Sequence, residues 1–297
     1  MTRYPTRKAL LLLAVGALGV SVLPGWTNAA RADRAAREQP IALQPHPTYS
    51  WLVAASALVR LEPVIGPTRL RAYFDSPRTL VIVGKSPPAF LVDWRSPWAL
   101  SFASYAAMRS RLSTEPLDPH VQAVVYDDEA WPLSPRAEQR DPVRYTAMAA
   151  ALAHQYHLIL VATPATNLAT VESLHATEKY SAFLQLEIAQ QVARYADVYE
   201  IQAQGSEANQ AHYRNFVARA ATQAREGNPV VDVLAGLSSN PVGQRISAQA
   251  LYRDELSTRK VVSEYWLNIP GASVYCPKCG VPQPQVAAQL LALLSGS

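Results

Sequence analysis

A parallel (β/α)8 barrel is the architecture this sequence predicts, and three features predict it. From Val121 onward, short β-branched apolar runs alternate with longer stretches whose apolar residues recur at three- and four-residue spacing, the repeated βα unit of a parallel sheet. The pattern fills residues 48–297, close to the ~250 residues typical of a barrel. Inside the strands polar and apolar residues alternate: Val198, Glu200, Gln202 and Gln204 share one face of "VYEIQAQ", and Glu264, Trp266 and Asn268 share one face of "VVSEYWLNI". Strands of an open sheet covered by helices on both sides read apolar on both faces, whereas a barrel with a polar upper lumen accounts for the alternation.

In chain order, residues 1–32 form a secretory signal: Arg3, Arg7 and Lys8 precede an apolar run from Ala9 to Val20, and Ala30-Arg31-Ala32 is a small-residue cleavage site. The apolar run is shorter than the ~20 residues of a membrane span, so no stable anchor is expected after cleavage and the protein is expected outside the cell. Residues 33–47, polar and proline-punctuated, read as a flexible linker. "SWLVAASALVRL" (50–61) reads as a helix, and completing eight strands requires one near "RLRAYF" (69–74). "TLVIVG" (79–84) and "AFLVDW" (89–94) read as strands, and "WALSFASYAAMRSRL" (98–112) as a helix. "QAVVY" (122–126) is then the fourth strand, "LILVA" (158–162) the fifth, "VYEIQAQ" (198–204) the sixth, "PVVDVLAG" (229–236) the seventh and "KVVSEYWLNI" (260–269) the eighth, each followed or preceded by an amphipathic stretch.

Charge excludes one class of partner. Of 27 basic side chains four, Arg3, Arg7, Lys8 and Arg31, lie in the first 32 residues, which hold no acid, so the rest of the chain carries 23 basic against 23 acidic groups. No global positive field remains to collect phosphate backbones, and nucleic acid is not an expected partner. GxSxG, GxxxxGK[ST] and HExxH motifs are absent, which removes the corresponding serine hydrolase, nucleotide and zinc-protease readings. No cofactor is expected, and no metal: His154 and His157 close a helix, where the terminal dipole favours histidine. Cys276 and Cys279, the only cysteines, lack the second pair of a zinc ribbon and are expected to form a short disulfide in the loop after the last strand.

The chemistry concentrates in "YDDEAW" (126–131), where Asp127, Asp128 and Glu129 follow the fourth strand. Barrel active sites lie at the C-terminal strand ends. Crowded carboxyls there cannot all ionise, so one becomes a general acid near neutral pH. All three acids are candidates and Glu129 is preferred. Asp127 and Glu129 share the face of Val121, Ala123 and Val125, while the Gln122 and Tyr126 face reads as the lumen. Glu200 is a candidate second carboxylate. Buried in a strand pattern, Glu200 and Glu264 each need a partner such as Arg, Gln or another acid. Trp94, Trp98, Trp131 and Trp266 lie at or near strand ends, where flat faces can stack on sugar rings.

"YDDEAW", "YEIQAQ" (199–204) and "YWLNI" (265–269) together resemble chitinase-like glycoside hydrolase barrels. The resemblance implies that Glu129 is the acid, Asp127 its orienting partner, Gln202 a sugar-holding residue and Trp266 the floor of the subsite. Tyr126, Trp131, Gln204, Glu264 and Asn268 complete the expected binding set. The chain departs from the family in lacking its glycine-containing acid motif and in having Glu200 where the sixth strand would carry aspartate. The implied function is a secreted hydrolase of a poly- or oligosaccharide. A barrel that binds polysaccharide at the cell surface without cleaving it is the alternative.

Overall fold

The computed structural model describes residues 50–171, 178–274 and 276–296, so the expected signal and linker lie outside the described residues. Among the described residues eight parallel strands close into a barrel in chain order, the last pairing with the first. The first half runs β1 (Trp51–Ala54), α1 (Ala55–Ile65), α2 (Pro67–Phe74), β2 (Thr79–Val83), β3 (Trp98–Phe102), α3 (Tyr105–Thr114), β4 (Val121–Tyr126), α4 (Arg136–Arg140) and α5 (Pro142–Gln155). The second half runs β5 (Ile159–Ala162), α6 (Lys179–Gln185), α7 (Ile188–Ala193), β6 (Val198–Ile201), α8 (Gln210–Gly227), β7 (Asp232–Ser238), α9 (Ala248–Thr258), β8 (Glu264–Asn268) and α10 (Pro284–Ser295). None of these helices is long and apolar enough to cross a membrane.

Two apolar layers hold the barrel. Leu52, Leu80, Ala99, Ala123, Val125, Val161, Val198 and Leu234 fill the lumen. The larger layer lies between strands and helices, with Leu58, Phe74, Tyr126, Tyr199, Tyr213 and Leu267 fully or almost fully buried. Helices start where a short polar side chain accepts a first-turn amide: Ser104 caps α3, Asp141 α5, Asn209 α8 and Ser247 α9.

Four expectations in the first 112 residues are corrected. "SWLVAASALVRL" is a strand and then a helix with no turn between, so its uninterrupted apolar run hides β1. "RLRAYF" is helical: Pro67 sets the first turn of α2, and Leu70 and Phe74, four apart, are its buried stripe. "AFLVDW" is not a strand; Ala89–Leu91 make a 3-10 turn, and Trp94 packs on Phe90 at 5.4 Å. The strand is the next segment, "WALSF", which was expected to be helical. With only a 3-10 turn between β2 and β3, their outer face keeps a cavity of about 490 Å³ lined by Trp98, Leu100 and Phe102.

The register of β4 decides where the acids point. Trp98 pairs with Val121 and Ala99 with Ala123, so Gln122 is an extra, exposed residue in a bulge. Ala123 and Val125 therefore face the lumen and Val124 and Tyr126 the helices, the reverse of the expectation that the Gln122 and Tyr126 side lined the lumen.

Candidate active site

Val125 pairs with Val161, and Val161 with Val198, so three lumen side chains stand at one level of neighbouring strands. Two residues on, the same alternation brings Asp127, Thr163 and Glu200 to the next level, at the C-terminal mouth. Above them a cavity of about 540 Å³ is lined by Asp127, Glu129, Trp131, Gln202, Gln204, Trp266 and Asn268 from the expected set, and by both cysteines. The seven come from the ends of β4, β6 and β8, the three motifs read in the sequence.

The carboxyls meet different surroundings. Asp127 Oδ1 accepts hydrogen bonds from Thr163 Oγ1 and Gln202 Nε2, each at 2.9 Å, and the same Gln202 amide donates to the Thr163 carbonyl at 3.0 Å. Burial raises the Asp127 pKa to about 6, and the two donors oppose that rise by favouring the charged form. Glu129 is pushed up to about 8, by burial first and then by the charge of Asp127, with Gln202 and Lys179 acting the other way. Lys179, at the start of α6, also lines the cavity; burial lowers its pKa and the Glu129 charge raises it. Glu200 is fully buried and, among the described residues, neither oxygen has a hydrogen-bond partner. Burial first, then the charges of Asp127 and Glu129, push the Glu200 pKa well above the ordinary carboxylate value. Gly236 on β7 makes room for it: a Cβ there would fall onto the Gln204 amide and lie 2.8 Å from Glu200 Oε1.

Four expected site residues are placed elsewhere. Tyr126 turns to the helix layer, where its hydroxyl donates to Glu138 Oε2 at 2.6 Å. Asp128 points the same way and is 1% exposed; burial and then Glu138 raise its pKa to about 7. Glu264 opens β8 and so sits at the opposite, N-terminal end of the barrel, ion-paired with Arg78 at 3.0 Å. Glu200 belongs to the acid cluster but lies beneath the cavity floor, where substrate cannot touch it. Trp94 and Trp98 are also outside the site, Trp98 stacking on His120 at 4.7 Å. His154 Nε2 lies 2.8 Å from Asp197 Oδ2.

The sequence reading does not name Asn167, Lys179, Ser238 and Val242, which line the cavity, or Thr163, which bonds the lining Asp127. Thr163 was within reach, since it stands two beyond Val161 on the lumen face of β5. Lys179 was not, because nothing in an exposed-looking helix start announces a pocket. Cys276 and Cys279 are disulfide-bonded, and Cys279 accepts a bond from Asn240 Nδ2 at 2.7 Å, tying the last loop to the one after β7.

No protein-family model matches the chain, and no curated protein does. Among solved structures, the glycoside hydrolase domain of PgaB (BpsB) from Bordetella bronchiseptica is a structural neighbour at a TM-score of 0.42 and 11% identity, the match covering 75% of this chain and 94% of that one. The barrel class follows from the closed pairing of β1 to β8 itself.

Proposed function

We propose that the protein is a carbohydrate-active hydrolase that cleaves glycosidic bonds in a poly- or oligosaccharide, with Glu129 as general acid and Asp127 as the ionised carboxylate. One observation carries the reading: two carboxyls lining one cavity are driven apart in pKa. Two donors favour the charged form of Asp127, while burial and that charge keep a proton on Glu129. Glu129 gives its proton to the glycosidic oxygen as the bond to the sugar carbon breaks. Asp127 offsets the positive charge that develops on that carbon. Water then supplies a hydroxyl to the carbon and returns a proton to Glu129. Trp131 and Trp266 offer flat faces to the sugar, and Gln204, Asn167 and Asn268 offer hydrogen bonds to its hydroxyls.

The experiment is to incubate the purified chain, from residue 33 onward, with a panel of cell-wall and plant polysaccharides and to look for new reducing ends. New ends from the parent protein and none from Glu129→Gln are the expected result. Binding without cleavage by the parent would favour the non-catalytic barrel, and neither would sink the reading. We also propose that the protein acts outside the cytoplasm. The basic, apolar and small-residue order of residues 1–32 and the paired cysteines support this. Protein recovered from the medium should begin between Ala30 and Asp33; finding Thr2 at its start would refute it.

A further inference from the structure

One wall of the cavity is the turn after β7. Val242 lies there within the 3-10 turn Pro241–Gly243 at φ 51° and ψ 34°, in the left-handed region, and is 54% exposed while lining the cavity. A β-branched side chain crowds its own backbone in that region, so the conformation persists only where the surroundings impose it.

Here they do. Asn240 Nδ2 donates to the carbonyls of Cys279 at 2.7 Å and Val281 at 3.3 Å, and the Ser239 amide donates to Asn268 O at 3.0 Å. Gly243, at φ 77°, packs so closely on the facing turn that a Cβ would fall onto the Lys278 carbonyl oxygen. That facing turn is itself closed by the Cys276–Cys279 bond. Two turns are thus locked together, and the locked arrangement holds a valine in an unfavourable backbone state. Core packing does not account for the valine, because its side chain is among the exposed large apolar ones.

We propose that Val242 is a specificity-determining contact of the saccharide site, presenting its methyl groups to the apolar C–H face of a bound sugar. This rests on the glycan reading above. Sugar rings join an apolar face to a rim of hydroxyls, and the cavity offers both. Pro241, Val242 and Pro270 line it together with the polar side chains of Asn167, Gln204 and Asn268. The strain is tolerated because relieving it would move the apolar surface away from the ligand.

The test uses Glu129→Gln protein, so that bound sugar is not consumed, with Val242 intact or changed to Asn or Ile. The probes are soluble hexasaccharides of β-1,4-linked glucose, β-1,4-linked N-acetylglucosamine and α-1,4-linked glucose, followed by calorimetry. Asparagine enters the left-handed region at little cost, so Val242→Asn should raise Tm by about 2–4 °C. It should also weaken binding of the preferred hexasaccharide about tenfold through lost apolar contact. Val242→Ile keeps the apolar surface and should hold affinity within about twofold. If no probe binds with Val242 intact, the glycan reading fails and the contact with it. If sugar binds but Val242→Asn leaves affinity within about twofold, or does not raise Tm, or Val242→Ile loses affinity as Asn does, the proposal is overturned while the glycan reading stands.

Discussion

Proton bookkeeping at single residues governs the proposed chemistry. Asp127 must be ionised and Glu129 protonated, so activity should rise with pH through about 6 and fall through about 8, apparent limits that belong to the acid cluster as a whole. Glu129→Gln keeps shape and removes the titrating group. Turnover should drop by about 10² to 10⁴ with the melting temperature nearly unchanged. Thr163→Val is the sharper test of environment. It deletes one of the two donors on Asp127 Oδ1, so the Asp127 pKa should rise and the acid limb of the pH–rate profile move up by about one unit, leaving the alkaline limb in place. An unmoved acid limb would show that Asp127 is not the ionised group. Residue type and strand position made part of this candidate site legible: Asp127, Glu129, Gln202 and Trp266 stand at or just past strand ends and line the cavity, although the sequence pattern puts Asp127 and Glu129 on the face opposite the lumen. Asp128 and Tyr126 were misplaced because adjacent residues on a strand point to opposite faces, and the bulge at Gln122 decides which face is which.

Elements were legible where turns separate them and illegible where they do not. From β4 to β8 each strand is set off by polar loops and followed by an amphipathic helix, so counting back from "EYWLN" numbered them correctly. Upstream, β1 runs directly into α1 and β3 into the Ser104 cap of α3, so strand and helix merge into one apolar stretch. The contact of β4 with the helix layer also yields a test. Tyr126 OH and the Tyr105 amide both donate to Glu138 Oε2, at 2.6 and 2.8 Å, joining β4 and α3 to α4. Tyr126→Phe should destabilise the fold by about 1–2 kcal/mol, because a buried acceptor loses a donor, and leave turnover within about twofold. A large loss of turnover at unchanged stability would put Tyr126 back at the substrate.

At the scale of the whole molecule, burial pushes several carboxyl groups toward their neutral form, Glu264 despite its ion pair with Arg78 and Glu207 despite the Ser238 amide it accepts. Asp128, Asp254 and Glu264 are pushed up to about 7, each by burial first, and Glu200 and Glu207 are pushed well above the ordinary range. In the unfolded chain these groups titrate near ~4. Below that pH both states hold the protons and the full stability is present. As pH rises toward 7 the unfolded chain releases protons that the folded chain keeps, so stability is lost across this window. Tm should therefore be highest near pH 4–5 and fall by on the order of 10 °C by pH 8. Asp254 isolates the cause: it is fully buried, neither of its oxygens has a hydrogen-bond partner among the described residues, and it lies outside the cavity. Asp254→Asn keeps its shape and removes the proton, so this variant should lose less Tm than its parent between pH 5 and pH 8. Parallel melting profiles for the two proteins would show that the alkaline loss has another source than ionisation of Asp254.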